Sequence, residues 1–362
     1  MHERKISFVK GIGMVFVVAG HCTGAYDFAP FVPYSFHMPL FFFISGYLVS
    51  EKYLDAPLSF VWRRAKSLII PYYKYYIAFG ILTTLASKLC SIEYFGTGWY
   101  TPSGITESII SGGNIQIYTS GWFLVSLFIS MCLFSIIAFA SRKFGFHYAI
   151  VLIALFPAAI LAMSYGQQKH ADHVINLLVY RNIVSLFFVW AGFVVRAVRI
   201  RFPTPSFAAL ALAFLVQFYV MHASASGISF VSEWNSYPNL WSPFITSAAG
   251  IVFVFGLADI LSRATKPGDL LERIGENSLH VMAMHLAIFQ AINIVACISN
   301  GWPVSTVGKD PSMIYQWPKL WPLYVGTGLV LPVLLVEKWR KWRSISLMST
   351  VKLARRNSSR QR

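Results

Sequence analysis

"VKGIGMVFVVAGHC", residues 9–22, is the stretch on which the reading of the whole chain turns. An apolar run of this kind sits comfortably in hydrocarbon, yet it carries Lys10 at one end and His21 at the other. Titratable groups cost free energy in lipid, so they tend to be absent, paired or put to use. Treated as a helix, the run turns roughly 100° per residue, which sets Lys10 and His21 on nearly one face, about 16 Å apart along the axis. Gly11, Gly13, Ala19 and Gly20 are small enough to let neighbouring helices come close.

The surrounding chain answers what kind of protein holds this run. Its 362 residues are 56% hydrophobic and 16% aromatic, and only 12% are charged; the mean hydropathy is +0.58. So little charge cannot cover a soluble domain, and an all-α polytopic integral membrane protein is predicted. Apolar stretches near 7–24, 35–50, 69–87, 120–140, 147–164, 182–198, 206–222, 243–261, 279–298 and 320–337 read as about ten spanning helices. With the N-terminus inside, all but Lys88, Lys169, Arg181, Lys309 and Lys319 of the 30 Lys and Arg residues fall on inner segments. That is the positive-inside pattern at every loop, and it predicts cytoplasmic termini at both ends.

The net charge of +16 is therefore topological, and no nucleic-acid partner is expected. Residues 1–343 form the expected membrane domain and 344–362 a basic cytoplasmic tail. The tail's end, "VKLARRNSSRQR", reads as a solvated stop-transfer segment that also suits anionic lipid. The first run is too long for a signal-peptide core and lacks a clean cleavage site, so it is expected to be retained. No cysteine pair has metal or redox spacing, and no metal is expected. Cys132 and Cys297 read as small packing residues; Cys22 and Cys90 both fall toward the outer side, and their pairing is left open.

The outer loop near 88–119 contains "YFGTGWYTPSGITESIISGGNIQIYTSGW", and "HASASGISFVSEWNSYPNLWSP" at 222–243 has the same character. Long loops in compact folds are often binding elements. Aromatic and hydroxyl side chains suit stacking on sugar rings, and equally an interfacial aromatic belt. No internal repeat is visible, which weakens a transporter reading.

"KGIGMVFVVAGH" followed by "FHMPLFFFISGYL" resembles the signature of the acyltransferase 3 family, integral-membrane O-acyltransferases of envelope polysaccharides, in its sugar-acetylase-like branch. "WRRAKSLIIPYY", "SGWFLVSLF" and "IGENSLHVMAMHLAIF" resemble later segments of that family, in the same order. The resemblance implies that His21 is the catalytic histidine, with Lys10 standing where the family usually has Arg. The family's frequent acidic residue upstream is Ser7 here, and its Arg-x-x-Arg becomes Arg63 with Lys66, Arg64 lying between. It also implies an acetyl-CoA or other acyl-CoA donor and a carbohydrate acceptor, lipid-linked or free. A polysaccharide assembly machinery as partner and a bacterial inner membrane as location follow from the same resemblance.

The chemistry is coherent in its own terms. CoA is bulky, cytosolic and anionic, and Lys10, Arg63, Arg64 and Lys66 would form a cationic cradle for its phosphates. Histidine suits removal of a hydroxyl proton near neutral pH. His37, Ser45 and Asn277 are open candidates for the oxyanion donor, and Trp122 and His285 for further contacts with substrate; a covalent acyl-histidine is the mechanistic variant. Each has a structural alternative: topological anchors for the basic residues, a cap for His37, a close helix contact for Ser45, a polar bridge for His285, core or belt for Trp122. A glycan transporter or flippase, and a purely structural partner, are the rival functions.

Overall fold

Each of the ten apolar stretches forms a helix. In chain order the helices are α1 (His2–Gly20) and α2 (His37–Tyr47), then α3 (Pro57–Arg64), which passes through a π turn at Ala65–Ile69 into α4 (Ile70–Cys90). Next come α5 (Pro102–Ile110), α6 (Trp122–Phe144), α7 (Tyr148–Gln168) and α8 (His173–Ile175), which passes through a second π turn at Asn176–Tyr180 into α9 (Arg181–Ala197). The last are α10 (Phe207–Ala223), α11 (Ser242–Ala264), α12 (Leu270–Glu276), α13 (Ser278–Asn300) and α14 (Trp321–Ser358). This computed structural model describes residues 2–22, 31–92, 94, 98–168, 173–199, 207–223, 231–308 and 320–358. Among the described residues there is no β-strand, only an antiparallel bridge between Val231 and Ser236. Lys169, Arg201, Lys309 and Lys319, which entered the charge count, lie outside the described residues, as do 359–362 of the tail.

Among the described residues, five segments are long and apolar enough to cross a bilayer: Gln116–Phe144, Tyr148–Gln167, Asn176–Ala197, Ser242–Ala264 and Ser278–Asn300. Ile77, Leu85, Ile136, Ile153 and Leu161 face outward and exposed, which lipid favours and water does not. The chain is thus an all-α, multi-pass membrane protein. α2 differs from its expected 35–50: it has 11 residues, about 16 Å at 1.5 Å per residue against a hydrocarbon core of about 30 Å. α1 ends at Gly20, short of the expected 24. α14 continues unbroken across 343–344, where the tail was expected to begin.

Glycine sets the closest crossings. A Cβ on Gly46 of α2 would lie 1.8 Å from the Val189 carbonyl oxygen of α9, and one on Gly192 would lie 2.0 Å from that of Phe43. α1 meets α12 in the same way, through Gly275 against the Ser7 carbonyl and Gly11 against that of Leu271. Backbone contact of this kind holds helices together where lipid supplies no hydrophobic drive. At the charged end, Arg4 pairs with Glu272 at 3.0 Å and Lys5 with Asp259 at 3.0 Å. Arg4 also donates to the Thr265 carbonyl at the end of α11, so α1 is tied to both α11 and α12.

The two π turns have local causes. At Ala65–Ile69 the Ile70 N–H reaches back to the Ala65 carbonyl. One residue on, Pro71 has no N–H, and in a regular α-helix its ring would strike the carbonyl four positions back, so the turn widens. In the second, Arg181 N–H reaches Asn176. The Asn182 amide then donates to the Leu177 and Leu178 carbonyls at 3.1 and 3.0 Å, while its oxygen accepts from Ser126 at 2.7 Å. The described part of the 88–119 loop is folded rather than open: Thr101 caps α5 by accepting the Gly104 N–H at 3.2 Å, and Pro102 fills the first turn. Its aromatics mostly pack inward. Tyr118 is buried against Tyr72, and Trp99 covers Gly80 of α4, while Tyr100 stays exposed.

Candidate functional site

Lys10 and His21 line one internal cavity of about 250 Å³. α1 supplies both, with Met14 and Val17 between them; α2 adds Met38 and Ser45, the π turn after α3 adds Ser67, and α6 and α13 close the wall. Over the roughly 16 Å that α1 rises from Lys10 to His21, this volume leaves a bore about as wide as one extended chain. His21 is the residue just past the last turn of α1, its N–H donating to the Val18 carbonyl at 3.3 Å.

The two ends differ in chemistry. At one, Lys10 and Arg64 are close enough to repel, Arg64 lies over the Phe60 ring at 5.0 Å, and among the described residues no carboxylate lines the cavity. At the other, His21 meets His285 with ring centroids 5.1 Å apart, and Tyr34 at 6.2 Å. Tyr34 in turn packs on His37 at 5.0 Å, so three histidines and a tyrosine make a continuous row. His285 is fully buried, its Nδ1–H donating to the Val281 carbonyl at 3.1 Å and its Nε2 left without a hydrogen-bond partner. His37 is buried with Nδ1 on the Pro33 carbonyl.

The sequence-derived candidates therefore separate. Lys10, His21, Ser45, Arg64 and Trp122 share the cavity wall. Arg63 does not reach it: the guanidinium donates to the Tyr53 hydroxyl at 2.6 Å on the exposed side of α3. Lys66 lies over the Trp62 ring at 5.0 Å, also outside. Asn277 is buried with its amide on the Arg273 carbonyl at 2.9 Å, one residue before Ser278, which does line the cavity. Ser45 donates to the Phe41 carbonyl at 2.8 Å, the bond expected of a serine packing within its own helix.

Three participants had not been singled out. Ser120 lines the cavity and donates to the Met282 carbonyl at 2.8 Å. Tyr34 links two histidines. Arg181, counted only as one of the few outer cations, is fully buried, with its guanidinium 5.2 Å from the centre of the Trp122 ring. A cation at the head of an apolar helix on the side poor in positive charge was the available signal. Among the described residues, no group of three His, Cys, Asp or Glu side chains is placed to hold a metal. All four cysteines carry free thiols, Cys22 buried and Cys90 exposed.

Taken together, these features define a multi-pass helical membrane protein with an internal site that is cationic at one end and histidine-rich at the other. The acyltransferase 3 family model, described as an acyltransferase domain, matches residues 3–337, and the chain belongs to that family. It is also 30% identical over 166 residues to the nodulation protein NolL of Sinorhizobium fredii (strain NBRC 101917 / NGR234), a match covering 42% of this chain and 42% of the relative. No solved structure matches the chain.

Proposed function

We propose that the protein is an O-acyltransferase that moves an acyl group, for which we take acetyl, from cytosolic acyl-CoA to a hydroxyl of a cell-envelope or exopolysaccharide sugar. The observation that carries this reading is the single cavity joining Lys10 and Arg64 to His21. In it, the chain crosses a bacterial inner membrane ten times with both termini in the cytosol, and 344–362 is a basic tail at the anionic inner leaflet. Lys10 and Arg64 hold CoA phosphates at the inner mouth. Arg63 and Lys66 add to the attracting field from the exposed face of α3 and its π turn. The pantetheine arm follows Met14 and Val17, bringing the thioester to His21.

His21 removes the proton from the acceptor hydroxyl, and the oxygen bonds to the thioester carbonyl carbon as the carbonyl electron pair moves onto its own oxygen. The Trp122 N–H, or a Ser45 hydroxyl turned away from Phe41, donates to that oxyanion. Collapse breaks the carbon–sulfur bond. The leaving thiolate takes the proton from the imidazolium, giving the sugar ester, free CoA thiol and neutral His21.

The test uses membranes containing the full-length protein, supplied with acetyl-labelled acetyl-CoA. His21→Ala at equal abundance lowers label in envelope glycan by at least about 100-fold, the usual worth of a general base. Undiminished labelling removes His21 from the reaction, and glycan movement that needs no acyl-CoA favours transport.

A further inference from the structure

A second cavity, of about 300 Å³, lies on the far side of Trp122 from the first. Its wall includes Glu107 of α5, Asn114, Thr119, Arg181 at the head of α9, and Glu233 and Trp234 from the short turn before α11. The two cavities share a partition. Thr119 faces the second and Ser120 the first, while Trp122 lines the first and carries the Arg181 guanidinium against its ring. Gly112 holds this partition in place: its φ of +76° suits glycine, and a Cβ there would lie 2.6 Å from the Trp122 Cα.

The wall is polar and built in. Arg181 donates to the carbonyls of Ile110 and Glu233 at 3.3 Å each, yet its Nε has no partner, and neither has Asn114 Oδ1. Unspent hydrogen-bonding capacity in a buried setting is costly unless something visiting the site satisfies it. One guanidinium stands against the carboxyls of Glu107 and Glu233, so the wall holds no excess of positive charge to draw an anion. Trp234, 49% exposed, offers an apolar ring face. Carboxylates for hydroxyl donors, an amide oxygen and an indole face are the groups that recognise a neutral sugar ring.

We propose that this second cavity is the acceptor subsite, that it takes an electrically neutral sugar unit, and that the hydroxyl to be acylated passes Trp122 to reach His21. The assignment rests on the acyl-transfer reading above. Donor and acceptor then enter from opposite sides of one aromatic partition, which keeps the thioester away from water until an acceptor arrives.

The experiment compares Glu107→Gln, Glu233→Gln, Trp234→Ala and Trp234→Phe with the unaltered protein in host membranes. Two readouts are taken: transfer of labelled acetyl from acetyl-CoA into the endogenous glycan, and retention of labelled CoA by the purified full-length protein. We expect the two Gln variants and Trp234→Ala to lose about 10-fold or more in transfer, the worth of a hydrogen bond involving a charged group. CoA retention stays within about twofold, and Trp234→Phe recovers most of the transfer. Unchanged transfer in all variants overturns the assignment. Increased transfer in Glu107→Gln and Glu233→Gln shows an anionic acceptor and overturns it as well, and CoA retention lost in step with transfer does so too, since the subsite acts on acceptor alone. If the unaltered protein transfers no label while still retaining CoA, the acyl-transfer reading fails first and takes this one with it.

Discussion

The His21 and His285 rings lie 5.1 Å apart, centroid to centroid, and are tilted by 42°. His285 is anchored from behind, with Nδ1–H donating to the Val281 carbonyl, so the lone pair is on Nε2, the atom without a partner. A buried acceptor beside a base can orient it and take up an N–H when the base becomes protonated. His285→Ala is expected to lower turnover by about 10- to 100-fold while the KM for acetyl-CoA changes little, since the lost interaction is one hydrogen bond to a charged group. His285→Gln, which keeps an acceptor, is expected to retain more; steady-state kinetics in membranes checks both.

The basic residues after α2 are expected to be unequal. Arg64 lines the cavity, whereas Arg63 is spent on Tyr53 and Lys66 on Trp62. Arg64→Ala raises the KM for acetyl-CoA by about 10-fold or more, as loss of one charged hydrogen bond predicts. Arg63→Ala and Lys66→Ala each change it by no more than about threefold at physiological salt, because exposed charges are screened. Initial rates against acetyl-CoA concentration for the three variants decide the point.

Gly46→Ala is expected to damage the fold without touching the chemistry. The added Cβ would lie 1.8 Å from the Val189 carbonyl oxygen, too close for a flexible side chain to relieve. Overpacking of this kind costs about 1–3 kcal/mol or more. Less folded protein in membranes and a lower melting temperature in detergent are the expected readings, with the KM for acetyl-CoA unchanged in the fraction that folds.

Glu233 gives a pH signature at the second cavity. Burial pushes its carboxyl from 4.5 up to about 7, opposed by the nearby Arg181 charge. A carboxyl whose folded value is raised binds its proton more tightly folded than unfolded, so its contribution to stability is present at low pH and is lost as pH rises from about 4.5 through 7. The unaltered protein should lose more thermal stability between pH 5 and 8 than Glu233→Gln does, read as melting temperature against pH for both (a range set by the shift itself).

Much of the fold was legible because the strongest signal was long and one-dimensional: apolar runs, each of which forms a helix. Lys10 and His21 share a cavity because 11 residues is close to three helical turns. Length misled at α2, where Phe and Gly sustain the hydropathy but the helix breaks at Leu48. Spacing gave no view of Arg63 and Arg64, neighbours in sequence of which Arg64 lines the cavity and Arg63 turns to Tyr53. The Arg181–Trp122 contact joins residues far apart in the chain, and no local pattern announces it. Tyr34 and Ser120 sit in short turns whose course depends on what packs against them.

The central claim is that CoA enters from the basic end and delivers its sulfur to His21. An experimental structure of the protein with CoA bound tests this most directly. We expect the phosphates at Lys10 and Arg64 and the thiol within contact distance of the His21 ring, on the near side of Trp122. CoA held elsewhere, or a His21 imidazole facing lipid with no passage from the cytosolic side, would contradict the account.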